Sequence, residues 1–153
     1  MSGPLEIVVL EDDPRRRTAM REALAERLPQ YPSRFFTTAP ETARYLEGRL
    51  DRMVLIVLDH DLDPIPVHPR RSLDAGTGRD VADFLAARDP TCPVVIHSTN
   101  RPAAVGMEIE LTDAGWDVHI VVPYGDLEWI ADDWLRVVRD AIVRAEKPLA
   151  AAA

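Results

Sequence analysis

Five short apolar runs punctuate the chain: LEIVVL at 5–10, FF at 35–36, MVLIVL at 53–58, PVVIH at 93–97 and VHIVV at 118–122. All but the second are continuous rather than alternating, the habit of strands covered on both faces in a parallel sheet. Between them, apolar residues recur at three- and four-residue spacing. Arg15 to Leu28 carries Met20, Ala23, Leu24 and Leu28 on one stripe, with Pro14 in its first turn, Asp13 as cap and Pro29 beyond its end. Thr77 to Arg88 carries Val81, Phe84 and Leu85, opens beside Gly76 and Gly78, and must end before Pro90. Arg101 to Ala114 and Leu127 to Ala145 complete the helices. The last has the clearest stripe: Leu127, Ile130, Trp134, Val138, Ala141 and Ala145.

This order reads as five βα units, and right-handed crossovers place helices on both faces of one sheet. It predicts an α/β, flavodoxin-like three-layer (βα)5 fold with parallel strand order 2-1-3-4-5, in a single domain over residues 1–148. Two stretches fall outside the pattern. Residues 62–76, LDPIPVHPRRSLDAG, are expected to form a long βα loop, and residues 149–153 a frayed tail.

Composition narrows the function classes. No apolar run approaches the roughly 20 residues of a membrane helix, and MSGPLEIVVLEDD lacks a basic leader, so a cytoplasmic location is expected. Cys92 is the only cysteine, which excludes an internal disulfide and a thiolate zinc site. The 26 acids against 18 bases give a net charge of −8, which argues against a broad nucleic-acid face and favours metal ions locally.

The candidate chemistry gathers where the strands end. In an open parallel sheet the ligand crevice lies beyond the carboxyl ends of the strands. Those ends supply Glu11, Asp12 and Asp13; Asp59, His60 and Asp61; His97, Ser98, Thr99 and Asn100; and Pro123 and Tyr124. Carboxylates crowded together would have raised pKa values unless a cation sat among them, which predicts a divalent-ion site for magnesium or manganese. Each residue also has a plainer role. Asp13 can simply cap a helix, His60 and His97 can be hydrogen-bonded core histidines, and Arg15, Arg16 and Arg17 can form a solvated face. His68 and His119 read as structural or solvated, Arg70 and Arg71 as loop residues able to close over a ligand, and Trp116, Trp129 and Trp134 as core or partner-facing.

The acidic pair in LEDDP, the single Asp59 ending the third strand and the hydroxyls Ser98 and Thr99 ending the fourth resemble the receiver domain of two-component response regulators, over roughly residues 5–145. That resemblance implies metal ligation by Asp12, Asp13 and Asp59, a backbone carbonyl contribution from Asp61, phosphoryl acceptance by Asp59 and sensing by Ser98. One departure is plain: the receiver lysine that precedes a proline is absent, and Val122-Pro123-Tyr124 stands there. The segments LDHDL, GTGRDVADFL, VIHSTN, AGW and LEWI further resemble a divergent branch, the cyclic-phosphate processing receiver domain. This implies a pocket that acts on a small cyclic phosphate or an RNA terminus. The chemistry assigns proton transfer to His60, His97 and Asp61, and phosphate binding to Ser98, Thr99, Asn100 and Thr77, with helix-start amides helping. Two alternatives stand beside it: a non-catalytic pseudo-receiver that dimerises or docks a signalling partner, and a stand-alone response regulator phosphorylated on Asp59.

Overall fold

The computed structural model describes residues 3–62, 65–68 and 71–152, with backbone alone for 65–68, 71–73 and 147–152. Five parallel strands form one sheet: β1 (Glu6–Leu10), β2 (Ser33–Phe36), β3 (Met53–Asp59), β6 (Val94–His97) and β7 (Val118–Val121). Their order is β2-β1-β3-β6-β7, which among the parallel strands is the predicted 2-1-3-4-5. The connecting helices are α1 (Pro14–Arg27), α2 (Ala39–Leu46), α3 (Gly78–Ala86), α4 (Arg101–Asp113) and α5 (Leu135–Ala152).

Because successive strand residues point to opposite faces, each apolar run is divided between two cores. Ile7, Val9, Leu55, Val57, Val95 and Val121 face one way and pack with Met20 and Leu24 of α1 and Val138 and Ile142 of α5. Val8, Leu10, Ile56, Leu58, Val94 and Ile96 face the other, against Leu46 of α2, Val81 and Leu85 of α3, and Met107 and Leu111 of α4. Burying such a side chain contributes roughly 1.5–3 kcal/mol. Both faces being covered is why the runs are continuous. The three tryptophans are all buried, Trp116 in the second core and Trp129 and Trp134 in the first.

Two expectations change. The segment expected to be a long loop contains an antiparallel hairpin, β4 (Ile65–His68) and β5 (Arg71–Leu73), separate from the main sheet. Pro66 sits inside β4, and proline is tolerated in such a two-stranded ribbon but not in a central strand, so its presence hid the strand. Arg70 and the side chains of His68 and Arg71 lie outside the described residues. The last helical stretch does not begin as a plain α-helix at Leu127: residues 130–134 form a π-helical turn before α5. A short 3-10 turn, Leu50–Arg52, leads into β3.

Candidate metal and phosphate site

The alternation that builds the first core also builds the site. Glu11 is in phase with Ile7 and Val9, Asp59 with Leu55 and Val57, and His97 with Val95. Leu10 lies beside Leu58 and Asp59 beside His97, so the three polar side chains meet at the carboxyl ends of three adjacent strands. All three are buried, and one ligand atom from each lies within 4.8 Å of the others. They are held tightly. Glu11 shares a 2.8 Å hydrogen bond with His97 Nε2 through Oε1, and its Oε2 accepts from the Asp13 N–H at 2.9 Å. An Asp59 carboxylate oxygen accepts from the His60 N–H at 2.8 Å. The Trp129 ring lies against His97, with centroids 5.6 Å apart.

The two buried carboxyls are driven apart in acidity. Burial alone would raise Glu11, but the hydrogen bond and charge of His97, together with the Asp13 N–H and Arg16, lower it to about 2. Asp59 is pushed up to about 9, first by burial and then by the negative charge of Glu11, with the His60 N–H and Arg16 opposing. Without further positive charge, Asp59 is therefore a protonated acid at neutral pH. This donor set, two carboxyls and an imidazole with one carboxyl unable to ionise, fits a divalent cation.

A cavity of about 240 Å³ opens onto this group, lined by Glu11, Asp12, Asp13, Arg16, Asp59, Asp61, Ser98 and Thr99. His97 lies behind it, fully buried, and acts through Glu11. Asp13 is exposed and caps α1, its Oδ1 accepting from the N–H groups of Arg15 (2.8 Å) and Arg16 (3.2 Å). Asp12 is half-buried at the rim. His60 pairs through Nδ1 with Asp61 at 2.8 Å, beside the cavity rather than among the three converging groups. Ser98 is buried and its Oγ accepts from the Asn100 N–H at 3.0 Å, while Asn100 caps α4 by accepting from Ala103. Thr99 is exposed at the rim. Thr77 caps α3, receives the Asp80 carboxylate on its N–H at 3.0 Å and bridges by backbone to Asp61, so it supports the wall without lining the cavity. Val122 and Tyr124 point to solvent where a receiver lysine would stand.

Glu11 had no assigned role in the sequence reading, which took Asp12 and Asp13 as the acidic pair. The signal that finds it is parity: counting by two from Ile7 and Val9 lands on Glu11. An Asp13→Ala variant is expected to lose about 1 kcal/mol of stability with its helix cap. Its manganese affinity should stay near wild type, whereas Glu11→Gln should lose manganese binding; calorimetric titration of both variants measures this.

Among the described residues no helix is long and apolar enough to cross a membrane. No curated protein matches the chain. Several solved structures that resemble it are receiver domains or response regulators. A signal receiver domain from Vibrio parahaemolyticus superposes with a TM-score of 0.67 at 17% identity, covering 99% of each chain. The phosphorylated cyanobacterial phytochrome response regulator RcpA gives 0.62 at 22% identity, over 90% of this chain and 91% of its own. The Mn(2+)-bound response regulator Rcp1 gives 0.56 at 18% identity, over 90% and 91%. At these identities the likeness establishes the fold alone. The sequence model of the cyclic-phosphate processing receiver domain matches residues 6–113. That span takes in β1, β3 and β6, the strands that carry Glu11, Asp59 and His97, and the chain belongs to the cyclic-phosphate processing receiver domain family.

Proposed function

We propose that this domain binds a divalent ion in its acidic cavity and hydrolyses a cyclic phosphodiester, either a small cyclic nucleotide or a cyclic RNA end. The observation that carries the reading is the buried Glu11–Asp59–His97 group, in which an imidazole has joined two carboxyls. Glu11 and Asp59 would hold the ion, with Asp12 and Asp13 at the rim. Two carboxylate oxygen ligands suit magnesium or manganese. When bound, the ion supplies Lewis acidity that polarises the phosphate. A manganese-bound form of a similar receiver fold supports the choice of metal.

The chain's own residues do the rest. Asp61 holds the His60 ring by Nδ1 and leaves Nε2 as a proton acceptor. Water attacking phosphorus gives its proton to that nitrogen, the ring P–O bond breaks, and the same imidazole returns the proton to the released oxygen. His97 fixes the Glu11 carboxylate and holds a proton at Nε2. Ser98 and Thr99 face the cavity as hydroxyl donors for phosphate oxygens, with Thr77 and Asn100 setting the helix starts behind them. We place this activity in the cytoplasm, with the exposed side chains of Val122 and Tyr124 available to a signalling partner or a second copy.

Phosphorus NMR of 2′,3′-cyclic AMP with the protein and manganese tests the reading. The cyclic signal should disappear, persist when a chelator is added, and persist with Asp59→Ala. A stable cyclic signal under all conditions sinks it. Phosphotransfer to Asp59 is the second reading, favoured by the position of that carboxyl at the end of β3 and equally compatible with the fold. Labelling of Asp59 by acetyl phosphate, lost in Asp59→Asn, would support it instead.

A further inference from the structure

We infer that Arg16 is the group that holds phosphate in this cavity, a guanidinium clamp supplied by α1 and steadied on Trp129. The inference rests on reading the cavity as a metal and phosphate site. Five acidic side chains line it, Glu11, Asp12, Asp13, Asp59 and Asp61, and among the described residues Arg16 is the only basic one. A divalent ion offsets two of those charges, so among these lining side chains Arg16 alone attracts an entering phosphate.

The geometry fits an anion clamp better than a partner for Glu11. Arg16 Nη1 lies 3.6 Å from Glu11 Oε1, beyond hydrogen-bond range, and both Glu11 oxygens already have partners in His97 and the Asp13 N–H. The guanidinium carbon stands 5.3 Å from the Trp129 ring centroid, a cation–π contact that fixes the fork without using its N–H donors. Trp129 is itself immobile: it is fully buried, its Nε1–H donates to the Asp126 carbonyl at 3.3 Å, and its ring abuts His97. The neighbours of Arg16 on the same turn do other work. Arg15 pairs with Asp126 on the outside, and Arg17 donates to the Asp12 carbonyl at 2.6 Å. No cation comes from the end of β7, where Val122 points to solvent. A planar guanidinium matches two phosphate oxygens at once.

Calorimetric binding of manganese, and then of inorganic phosphate to the manganese-loaded protein, tests the clamp in wild type, Arg16→Gln, Arg16→Lys and Arg15→Gln. Arg16→Gln should weaken phosphate roughly 10- to 100-fold while manganese affinity holds or tightens, since a cation has left the neighbourhood of Glu11. Arg16→Lys should recover part of the loss, and Arg15→Gln should match wild type. The clamp is overturned if phosphate affinity in Arg16→Gln stays within about twofold of wild type, if manganese and phosphate are lost together, or if wild type binds no phosphate. Failure of the hydrolase reading looks different. Phosphate held through Arg16 with 2′,3′-cyclic AMP left intact would keep the clamp and remove the hydrolase, and turnover with an unchanged KM in Arg16→Gln would do the reverse.

Discussion

Gly78→Ala is expected to lose the native site and most of the stability of the domain, although it adds one methyl group. The first residue of α3 crosses so close to the end of β3 that a Cβ there would lie 2.0 Å from the Asp59 carbonyl oxygen and 2.9 Å from its carbon. Both obstacles are backbone, so no side chain can swing aside. The crossing is also tied, since the Gly78 N–H donates to the His60 carbonyl at 3.0 Å. Relief therefore requires α3 to back away or β3 to shift, and overpacking of this kind costs about 3 kcal/mol or more. Urea denaturation should show a much lower midpoint. Any folded fraction should bind manganese poorly, because the displaced residue is the one that carries Asp59. A variant with wild-type midpoint and metal affinity would mean that the α3–β3 crossing is looser than described.

Asp59→Asn is expected to stabilise the metal-free protein, and to do so more strongly as pH rises. In the folded state this carboxyl is pushed from the ordinary 3.8 up to about 9 by burial and by Glu11. Between those values the folded protein keeps a proton that the unfolded chain has released. Wild-type stability is therefore complete below about pH 4 with respect to this group, and declines until pH passes about 9. Asparagine has nothing to ionise. Each pKa unit corresponds to about 1.4 kcal/mol, so between pH 5 and pH 8 wild type should lose more than about 2 kcal/mol relative to the variant. Urea unfolding in chelator at pH 5, 6.5 and 8 measures this, and adding manganese should remove the difference by giving the carboxylate a partner. Parallel stability profiles for the two proteins would refute the assignment.

Much of this architecture was legible from the chain because two periods coincide with two physical demands. Continuous apolar runs, each short and followed by a three-to-four stripe, leave few arrangements other than a covered parallel sheet. The site was legible to the level of which strand ends meet. Which side chain at each end turns inward was harder, since the five acids Glu11, Asp12, Asp13, Asp59 and Asp61 look alike as composition. Parity along the strand separates them: Glu11 continues the inward series, and Asp13 is drawn off to cap α1. Arg16 could not be separated from Arg15 and Arg17 without knowing where Trp129 lies. Trp129 in turn is off the apolar stripe read for the last helix, and its burial depends on a local departure from α-helical geometry.

That departure constrains how this segment can change length. In an α-helix, residues five apart are separated by about 140° around the axis, so Trp129 and Trp134 could not both face the sheet. The π turn at Ile130–Trp134 absorbs one extra residue and lets both indoles enter the same core. Winding all five residues as α-helix would swing Trp129 away from His97 and Arg16, whereas deletion of a single residue between the two tryptophans leaves them four apart, about 40° around the axis, and still on one face. Among descendants of this sequence, loss of one codon between Trp129 and Trp134 is thus tolerable drift, but gain of one would set the indoles about 240° apart on a plain helix and take the floor out from under the site while leaving every one of its polar residues in place.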